Sequence, residues 1–250
     1  MSALERARQL WRSTVPASIR EPVNARRAAR REAAWRRPRR LGELHRTTPI
    51  TTWGSSRGGP LDRVYIGQFV EQHAADVRGR VLEIAGDEYV TRFGRGVTRA
   101  DILDVFDDNP KATIVANLVD PHVIPENTFD CLIVTQVLLL VEDVPAALRS
   151  CHRILAPGGV LLATTPGISR LAPIESATLG QWWHLTSRSA RSLAEDAFGS
   201  GNVDVQTYGN VLTAAGFLYG LGEWDVSREE LAVHDPAFEV IIGIRAVKRA

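Results

Sequence analysis

From residue 80 onward, short runs of β-branched and apolar residues alternate with segments whose apolar residues recur at helical spacing. Turn residues such as Gly86 and the Pro157-Gly158-Gly159 triplet separate these runs. Such alternation predicts βαβ units and a mainly parallel sheet. The predicted strands are 80–85, 97–103, 113–116, 129–135, 160–164, 203–208 and 238–248, and the predicted helices are 144–155, 187–198 and 211–221.

The first 45 residues differ in composition from the rest and are predicted to be a basic, partly helical arm preceding a domain at 46–250. Residues 1–40 contain twelve Arg and three Glu, whereas the whole chain has a net charge of only +1. One interpretation is a solvated arm that packs one or two helices on the core. The alternative is peripheral contact with an anionic membrane surface or an acidic partner, because clustered Arg attracts polyanions. Few aromatic residues interrupt the Arg run, so no specific nucleic-acid binding is expected.

Composition excludes several classes of protein. No apolar run reaches the roughly 18 residues that cross a bilayer, and the Arg-rich start lacks the apolar region of a secretory signal. Cys131 and Cys151 are too few and too far apart for a disulfide framework or a zinc site, and the six His are dispersed. We therefore expect a cytoplasmic protein with two core cysteines and no metal.

Polar residues follow several predicted strands near their carboxyl ends, where open parallel sheets bind ligands. Glu83 precedes the Gly86 turn, and Asp101 lies 18 residues after Glu83, a spacing suited to an acid that accepts ribose hydroxyls. Each also has a structural explanation, as a strand-end turn or a helix cap. Beyond the third and fourth strands, the residues predicted to face the same crevice are Asn117, Asp120 and Gln136.

Specific runs then stand out: residues 81–86, Asp101, Phe129-Asp130, and above all residues 152–161, His-Arg-Ile-Leu-Ala-Pro-Gly-Gly-Val-Leu. Over residues 57–248 they resemble the class I S-adenosylmethionine-dependent methyltransferases, in the branch that methylates small molecules. A narrower resemblance, to bacterial methyltransferases encoded beside glycosyltransferases, rests on residues 57–66, Thr135-Gln136 and 209–212.

The resemblance implies an α/β fold with a Rossmann-like, seven-stranded, mostly parallel sheet, helices on both faces and an antiparallel last strand. It also implies S-adenosyl-L-methionine as the cofactor. The implied cofactor residues are Glu83, Ala85 and Gly86 at the glycine-rich turn, Asp101 at the ribose, Asn117 at the adenine, Gln136 across the crevice, and Arg63 and Tyr65 at the methionine carboxylate or as a roof.

The chain departs from the family pattern at two places. Ala85, Asp87 and Tyr89 stand where glycines are expected, and Leu139 stands where the narrower group tends to have His. The best remaining candidate for a general base is His184, in the run Gln181-Trp182-Trp183-His184, whose aromatics could form a wall for an acceptor. The alternative is that these tryptophans only pack a loop and that His184 is structural.

The function that these observations favour is methylation of an oxygen on a small hydroxylated acceptor, such as a sugar or a glycan precursor. The thinned glycine pattern leaves a catalytically silent cofactor-binding or scaffold protein as the alternative. A nicotinamide-dependent oxidoreductase is disfavoured, because the Gly-x-Gly-x-x-Gly run is absent after the first strand. The sequence does not determine the oligomeric state.

Overall fold

The structure, a computed structural model, describes residues 46–120 and 123–249 together with Ser18, Glu21 and Pro22. The rest of the arm at 1–45 lies outside the described residues, so the predictions made for it stay predictions. The chain divides into the units Met1–Arg46 and Thr47–Ala250, and the second contains the fold.

A single sheet of seven strands forms the centre of this unit, with the order β3-β2-β1-β4-β5-β7-β6. Neighbouring strands from β3 to β5 are parallel, whereas β7 is antiparallel to both β5 and β6. This confirms the predicted fold class, including the antiparallel last strand. The strands are β1 (Gly79–Ile84), β2 (Val97–Asp104), β3 (Ile114–Val115), β4 (Phe129–Thr135), β5 (Leu155–Pro166), β6 (Val203–Tyr208) and β7 (Ile241–Val247).

Helices connect these strands and cover the sheet. Those in the described part of the chain are α1 (Leu61–Gln72), α2 (Glu88–Phe93), α3 (Val144–Ile154), α4 (Pro173–Thr178), α5 (Ser187–Phe198), α6 (Val211–Leu218) and α7 (Arg228–Ala232). Short 3₁₀ turns lie at Ser55–Arg57, Ala74–Asp76, Leu138–Leu140 and Glu223–Asp225. None of the helices within the described residues is both long and apolar enough to cross a membrane.

Local chemistry explains where the two longest connecting helices begin. At α3, the Asp143 side chain accepts a hydrogen bond from the backbone N–H of Ala146 at 2.9 Å, which satisfies one of the free amides of the first turn. At α5, Thr186 and Ser189 bond reciprocally to each other's backbone N–H groups, as in a capping box. Gly199 then ends α5 with a φ of 86°, a conformation that glycine adopts without a Cβ penalty.

The two faces of the sheet are covered by different helices. An added Cβ at Gly243 would lie 2.4 Å from the Phe69 ring of α1, so glycine permits α1 to approach β7 closely. The neighbouring residues Ile242 and Ile244 point to the opposite face, where they join the core that α3 and α5 cover. Cys131 and Cys151 are fully buried and unpaired, which confirms the prediction of two core cysteines.

Candidate functional site

The turn after β1 brings backbone to the carboxyl edge of the sheet. Ala85 adopts a left-handed conformation with a φ of 64°, and its N–H donates to the carbonyl oxygen of Leu103 at 2.8 Å. Non-glycine residues rarely adopt this conformation, and Ala85 is one of the residues that replace an expected glycine. A Cβ added at Gly86 would meet no atom within 4 Å, so open space lies beside this turn.

Glu83 lies beneath the turn rather than in the crevice. Its side chain is 3% exposed, and it accepts hydrogen bonds from the backbone N–H groups of Tyr89 at 3.0 Å and Val90 at 2.8 Å. Burial raises the pKa of Glu83, and these two donors oppose the rise. The expectation that this carboxylate meets the ligand directly needs correction, because the first turn of α2 engages both of its oxygens. Its effect on the site is to fix the path of residues 85–88.

Asp101 is not at the tip of its strand, contrary to the sequence prediction. β2 continues to Asp104, and Asp101 pairs in register with Leu82 in the middle of β1. Its carboxylate is 1% exposed and accepts bonds from Arg80 at 2.8 Å and Arg99 at 2.8 Å. Burial acts to raise the pKa of Asp101, but the two guanidinium groups outweigh it and the pKa is lowered. The prediction of a ribose-binding acid at this residue is therefore corrected: Asp101 is an internal ion-pair centre.

The acid at the strand end is Asp104, which the sequence analysis missed. Its Oδ1 accepts the backbone N–H of Phe106 at 3.1 Å, and its Oδ2 accepts the side-chain amide of Asn109 at 2.6 Å. The same Asn109 nitrogen lies 3.1 Å from the carbonyl oxygen of Ala85. The sequence does contain a signal for Asp104. Ile102 and Leu103 are apolar residues that follow Asp101 and extend the strand pattern as far as Asp104.

An ion pair also joins the loops that follow β1 and β2. Lys111 Nζ lies 2.7 Å from Asp87 Oδ1, and both side chains are exposed. The hydrogen bond from Lys111 lowers the pKa of Asp87. Asp87 is the second residue that replaces an expected glycine, so its side chain contacts the neighbouring loop.

Asn117 lies two residues beyond β3, and its role at the adenine stays a prediction. Its side chain is exposed, and its Oδ1 accepts the N–H of Val119 at 3.1 Å while its carbonyl oxygen accepts the N–H of Asp120 at 3.0 Å. These bonds form a tight turn next to the carboxyl end of β2 and leave the Asn117 amide nitrogen free among the described residues.

Gln136 follows β4 in a second left-handed conformation, with a φ of 57°. Its N–H donates to Thr164 at 2.9 Å, which holds the turn against β5. Its side-chain nitrogen is buried without a hydrogen-bond partner among the described residues. A buried donor without a partner is energetically costly, so Gln136 is suited to bind a ligand group.

The two residues predicted upstream of β1 have different surroundings. Tyr65 is 1% exposed, its hydroxyl donates to the carbonyl oxygen of Leu231 at 3.3 Å, and its ring packs on Tyr208. This corrects its assignment to the cofactor, because α7 and β6 enclose the side chain. Arg63 is exposed on the first turn of α1. Burial raises the pKa of Tyr89, and the Arg63 guanidinium is near enough to oppose that rise, which places Arg63 beside α2.

The segment with His184 lies against the loop that follows β4. The N–H of Trp182 donates to Leu139 O at 2.8 Å, and the Trp183 indole donates to Val141 O at 3.0 Å. Both tryptophans remain exposed, by 50% and 42%. They therefore present aromatic surface next to the turn that contains Gln136.

The hydrogen bonds of Gln181 determine which His184 nitrogen carries the proton. Its Oε1 accepts the backbone N–H of Ala172 at 2.8 Å, so its Nε2 is the atom 2.9 Å from His184 Nε2. An amide nitrogen only donates, hence His184 Nε2 is the acceptor. This hydrogen bond is consistent with the tautomer that carries its proton on Nδ1.

Comparison with known proteins agrees with this geometry. Residues 67–163 match a family model described as a methyltransferase domain. A ubiquinone/menaquinone biosynthesis C-methyltransferase, UbiE of Escherichia coli (strain K12 / DH10B), is 37% identical over 73 residues, which are 29% of this chain and 29% of the relative. The match thus spans less than a third of the length of these curated relatives.

Two solved structures share the fold. A SAM-dependent methyltransferase from Archaeoglobus fulgidus has a TM-score of 0.50 at 14% identity and covers 76% of this chain and 95% of its own. The CMeT domain of the citrinin polyketide synthase has a TM-score of 0.51 at 16% identity and covers 78% of this chain and 55% of its own. At these identities the similarity is one of fold.

The fold and the domain match point to the same class of protein. Residues 67–163 match the model of a methyltransferase domain, and the seven-stranded sheet has the Rossmann-like architecture. The cofactor of this class is S-adenosyl-L-methionine.

Proposed function

We propose that the chain transfers a methyl group from S-adenosyl-L-methionine to an oxygen of a small hydroxylated acceptor, such as a sugar or a glycan precursor. The single observation that carries the proposal is the open space beside Gly86, next to the strand-end carboxylate of Asp104. Backbone that approaches closely and an acid at the end of the next strand are the two features that Rossmann-like folds use to bind a nucleoside.

Four residues are proposed to hold the cofactor. Asp104 would accept the ribose hydroxyls, and Asn117 would read the adenine edge with its free amide nitrogen. Gly86 leaves room for the bound molecule, and Arg63 supplies a cation for the methionine carboxylate. When bound, the cofactor supplies an electrophilic methyl group, and the chain's task is alignment of the acceptor and exclusion of water.

The acceptor is proposed to lie on the side of Gln136 and the Trp182-Trp183 segment. Aromatic surface suits the apolar face of a sugar ring, and the unpartnered Gln136 amide suits one of its hydroxyls. His184 Nε2 carries a lone pair that Gln181 holds in position. An acceptor hydroxyl that displaces the Gln181 amide would donate its proton to this nitrogen, which is general-base catalysis.

Two alternatives to O-methylation are each favoured by a specific feature of the chain. The partial similarity to UbiE, described as a C-methyltransferase, favours carbon as the accepting atom. The Lys111–Asp87 ion pair and the replaced glycines favour a chain that binds the cofactor without transferring its methyl group.

Calorimetry with S-adenosylhomocysteine tests the cofactor site, with Asp104→Ala and Asp101→Asn compared at equal folded fraction. Asp104→Ala loses a charge-assisted contact to the ribose, so its binding free energy for S-adenosylhomocysteine should be weaker by about 2–3 kcal/mol. Asp101→Asn should leave the affinity near that of the parent chain. Absence of binding by the parent, or equal affinity for Asp104→Ala, would contradict the proposed site.

Methyl transfer to a panel of sugars, glycan precursors and quinols, read by mass spectrometry, then tests the reaction. O-methylated product, with kcat reduced in His184→Asn and cofactor affinity unchanged, supports the proposal. A C-methylated product supports the first alternative. Cofactor binding without product across the panel supports the silent protein.

A further inference from the structure

The amino edge of the sheet, opposite the candidate cofactor site, contains a separate cleft of about 580 Å³. Its walls come from the residues at the start of β1, β2 and β4, from residues 157–158 near the start of β5, and from the carboxyl end of the antiparallel β7. A volume of several hundred Å³ is typical of a small-molecule site.

Positive charge exceeds negative charge in this cleft. Three arginines (Arg78, Arg95 and Arg245) and two aspartates (Asp76 and Asp130) line it. Arg245 is neutralised by Asp76, with N–O distances of 2.8 and 3.1 Å.

Asp130 is engaged from outside the cleft, because its Oδ2 accepts the backbone N–H of Arg80 at 2.7 Å. The exposed Arg78 and Arg95 side chains have no ion pair or hydrogen bond with any described residue. Two guanidinium groups on one cleft that have no carboxylate partner among the described residues favour an anion as the ligand.

Bare backbone forms much of the surface between these arginines. Gly96 and Gly158 have φ values of 70° and 81°, and a Cβ added at either would meet no atom within 4 Å. Left-handed glycines allow a ligand to approach the chain closely. Gly79 has a different reason to be glycine, since a Cβ there would lie 2.1 Å from Asp130 Oδ2.

We propose that this cleft is a second ligand site, which binds a small molecule bearing a phosphate group through Arg78 and Arg95. The planar guanidinium matches phosphate oxygens in a bidentate manner. The concave shape and the small charge excess suit a small molecule rather than a polymer. The site is on the opposite edge from the proposed methyl-transfer site, so it does not depend on that proposal.

Calorimetric titration of the full chain with pyrophosphate, at an ionic strength held constant with sodium chloride, tests the site. We expect saturable binding in the parent chain and a loss of affinity of about tenfold or more in Arg78→Gln/Arg95→Gln. Asp130→Asn, which removes a negative charge and keeps an acceptor for Arg80, should bind more tightly. Arg188→Gln, an exposed arginine on α5 outside the cleft, is the matched control and should equal the parent.

Three outcomes would overturn the proposal: no saturable binding at millimolar pyrophosphate, equal affinity in the double variant, or an equal loss in Arg188→Gln. Heat from pyrophosphate bound to the Arg-rich residues 1–40 would survive in the double variant and is thereby separated from the cleft. A thermal unfolding midpoint without ligand that equals the parent's establishes that the double variant is folded.

Discussion

The side-chain amide of Asn109 lies 2.6 Å from the carboxylate of Asp104. Because the same nitrogen also lies 3.1 Å from the carbonyl oxygen of Ala85, one residue joins the ends of β1 and β2. An acid at a strand end binds a ribose well only when its carboxylate is held in one orientation. Asn109 supplies that orientation from the loop after β2.

Asn109→Ala should therefore weaken binding of S-adenosylhomocysteine by roughly three- to tenfold, since one positioning hydrogen bond of about 1 kcal/mol is lost. Calorimetry measures the change. Lys111→Gln is the matched control, because it breaks the other contact between the same two loops without touching Asp104. An equal loss of affinity in both variants would show that cofactor binding depends on the attachment of the two loops to each other and not on the orientation of Asp104.

Gly86→Val should abolish cofactor binding while leaving the fold intact. A Cβ added at Gly86 enters open space, and the φ of Gly86 is not in the left-handed region, so the substitution introduces no clash at Cβ and no backbone strain. We expect the midpoint of thermal unfolding to change little and the binding heat of S-adenosylhomocysteine to disappear. Gly67→Ala on α1, whose Cβ would make ordinary contact with Arg92 at 3.7 Å, should keep full affinity. Full affinity in Gly86→Val would place the cofactor elsewhere.

Asp101→Asn should lower the free energy of unfolding at pH 7 by about 1–3 kcal/mol, because two guanidinium groups lose a charged partner. The folded-state pKa of Asp101 lies below its ordinary value of 3.8. The contribution of the ionised Asp101 to the free energy of unfolding is therefore fully present above the unfolded-state pKa, and it is lost as the pH falls through the folded-state pKa.

Urea unfolding measured from pH 7 down to about pH 3 checks this prediction. The difference in the free energy of unfolding between the parent and Asp101→Asn should narrow only below about pH 4. The exposed Asp108→Asn should match the parent throughout. If the difference in the free energy of unfolding stays constant down to about pH 3, the charge of Asp101 is not the source of the stabilisation.

Asp225→Ala should destabilise the fold severely. Asp225 and Arg57 form a bidentate ion pair with side-chain exposures of 0% and 2%, and Asp225 also accepts the N–H of Gly222 at 3.0 Å. Breaking a buried ion pair by removal of one partner typically costs about 3–5 kcal/mol. Chemical denaturation measures the loss, and Asp196→Ala on the exposed face of α5 is the control. A loss below about 1 kcal/mol would mean that this ion pair is not important for stability.

The sequence predicted the sheet well because each strand carries its own signal. The bounds of β4 and β6, and those of α5, agree with the predicted 129–135, 203–208 and 187–198, since apolar periodicity and caps are local properties. Helix α1 was missed as an element. Its residues were noted only for their resemblance to a family, because its five polar residues are spread around the helix and give no clear amphipathic period.

The side chains of the candidate site were predicted less well. Asp101 and Asp104 are three residues apart in one strand, and composition alone does not distinguish the acid that ends the strand from the acid that pairs inside it. Tyr65 and Glu83 were correctly placed near the first strand, yet their polar atoms bond to α7 and α2, which the sequence pattern does not show.

The sequence by itself determined the seven strands, the helices α3, α5 and α6, the parallel core with its turns at the carboxyl edge, and the excess of arginine near the start. Only the tertiary structure decided which carboxylates are satisfied internally, and it brought Arg78 and Arg95 to one cleft. The reason is physical: strand and helix formation depend on neighbours within a few residues, whereas the partners of a buried charge come from segments that are distant in the chain and meet only when the sheet has formed.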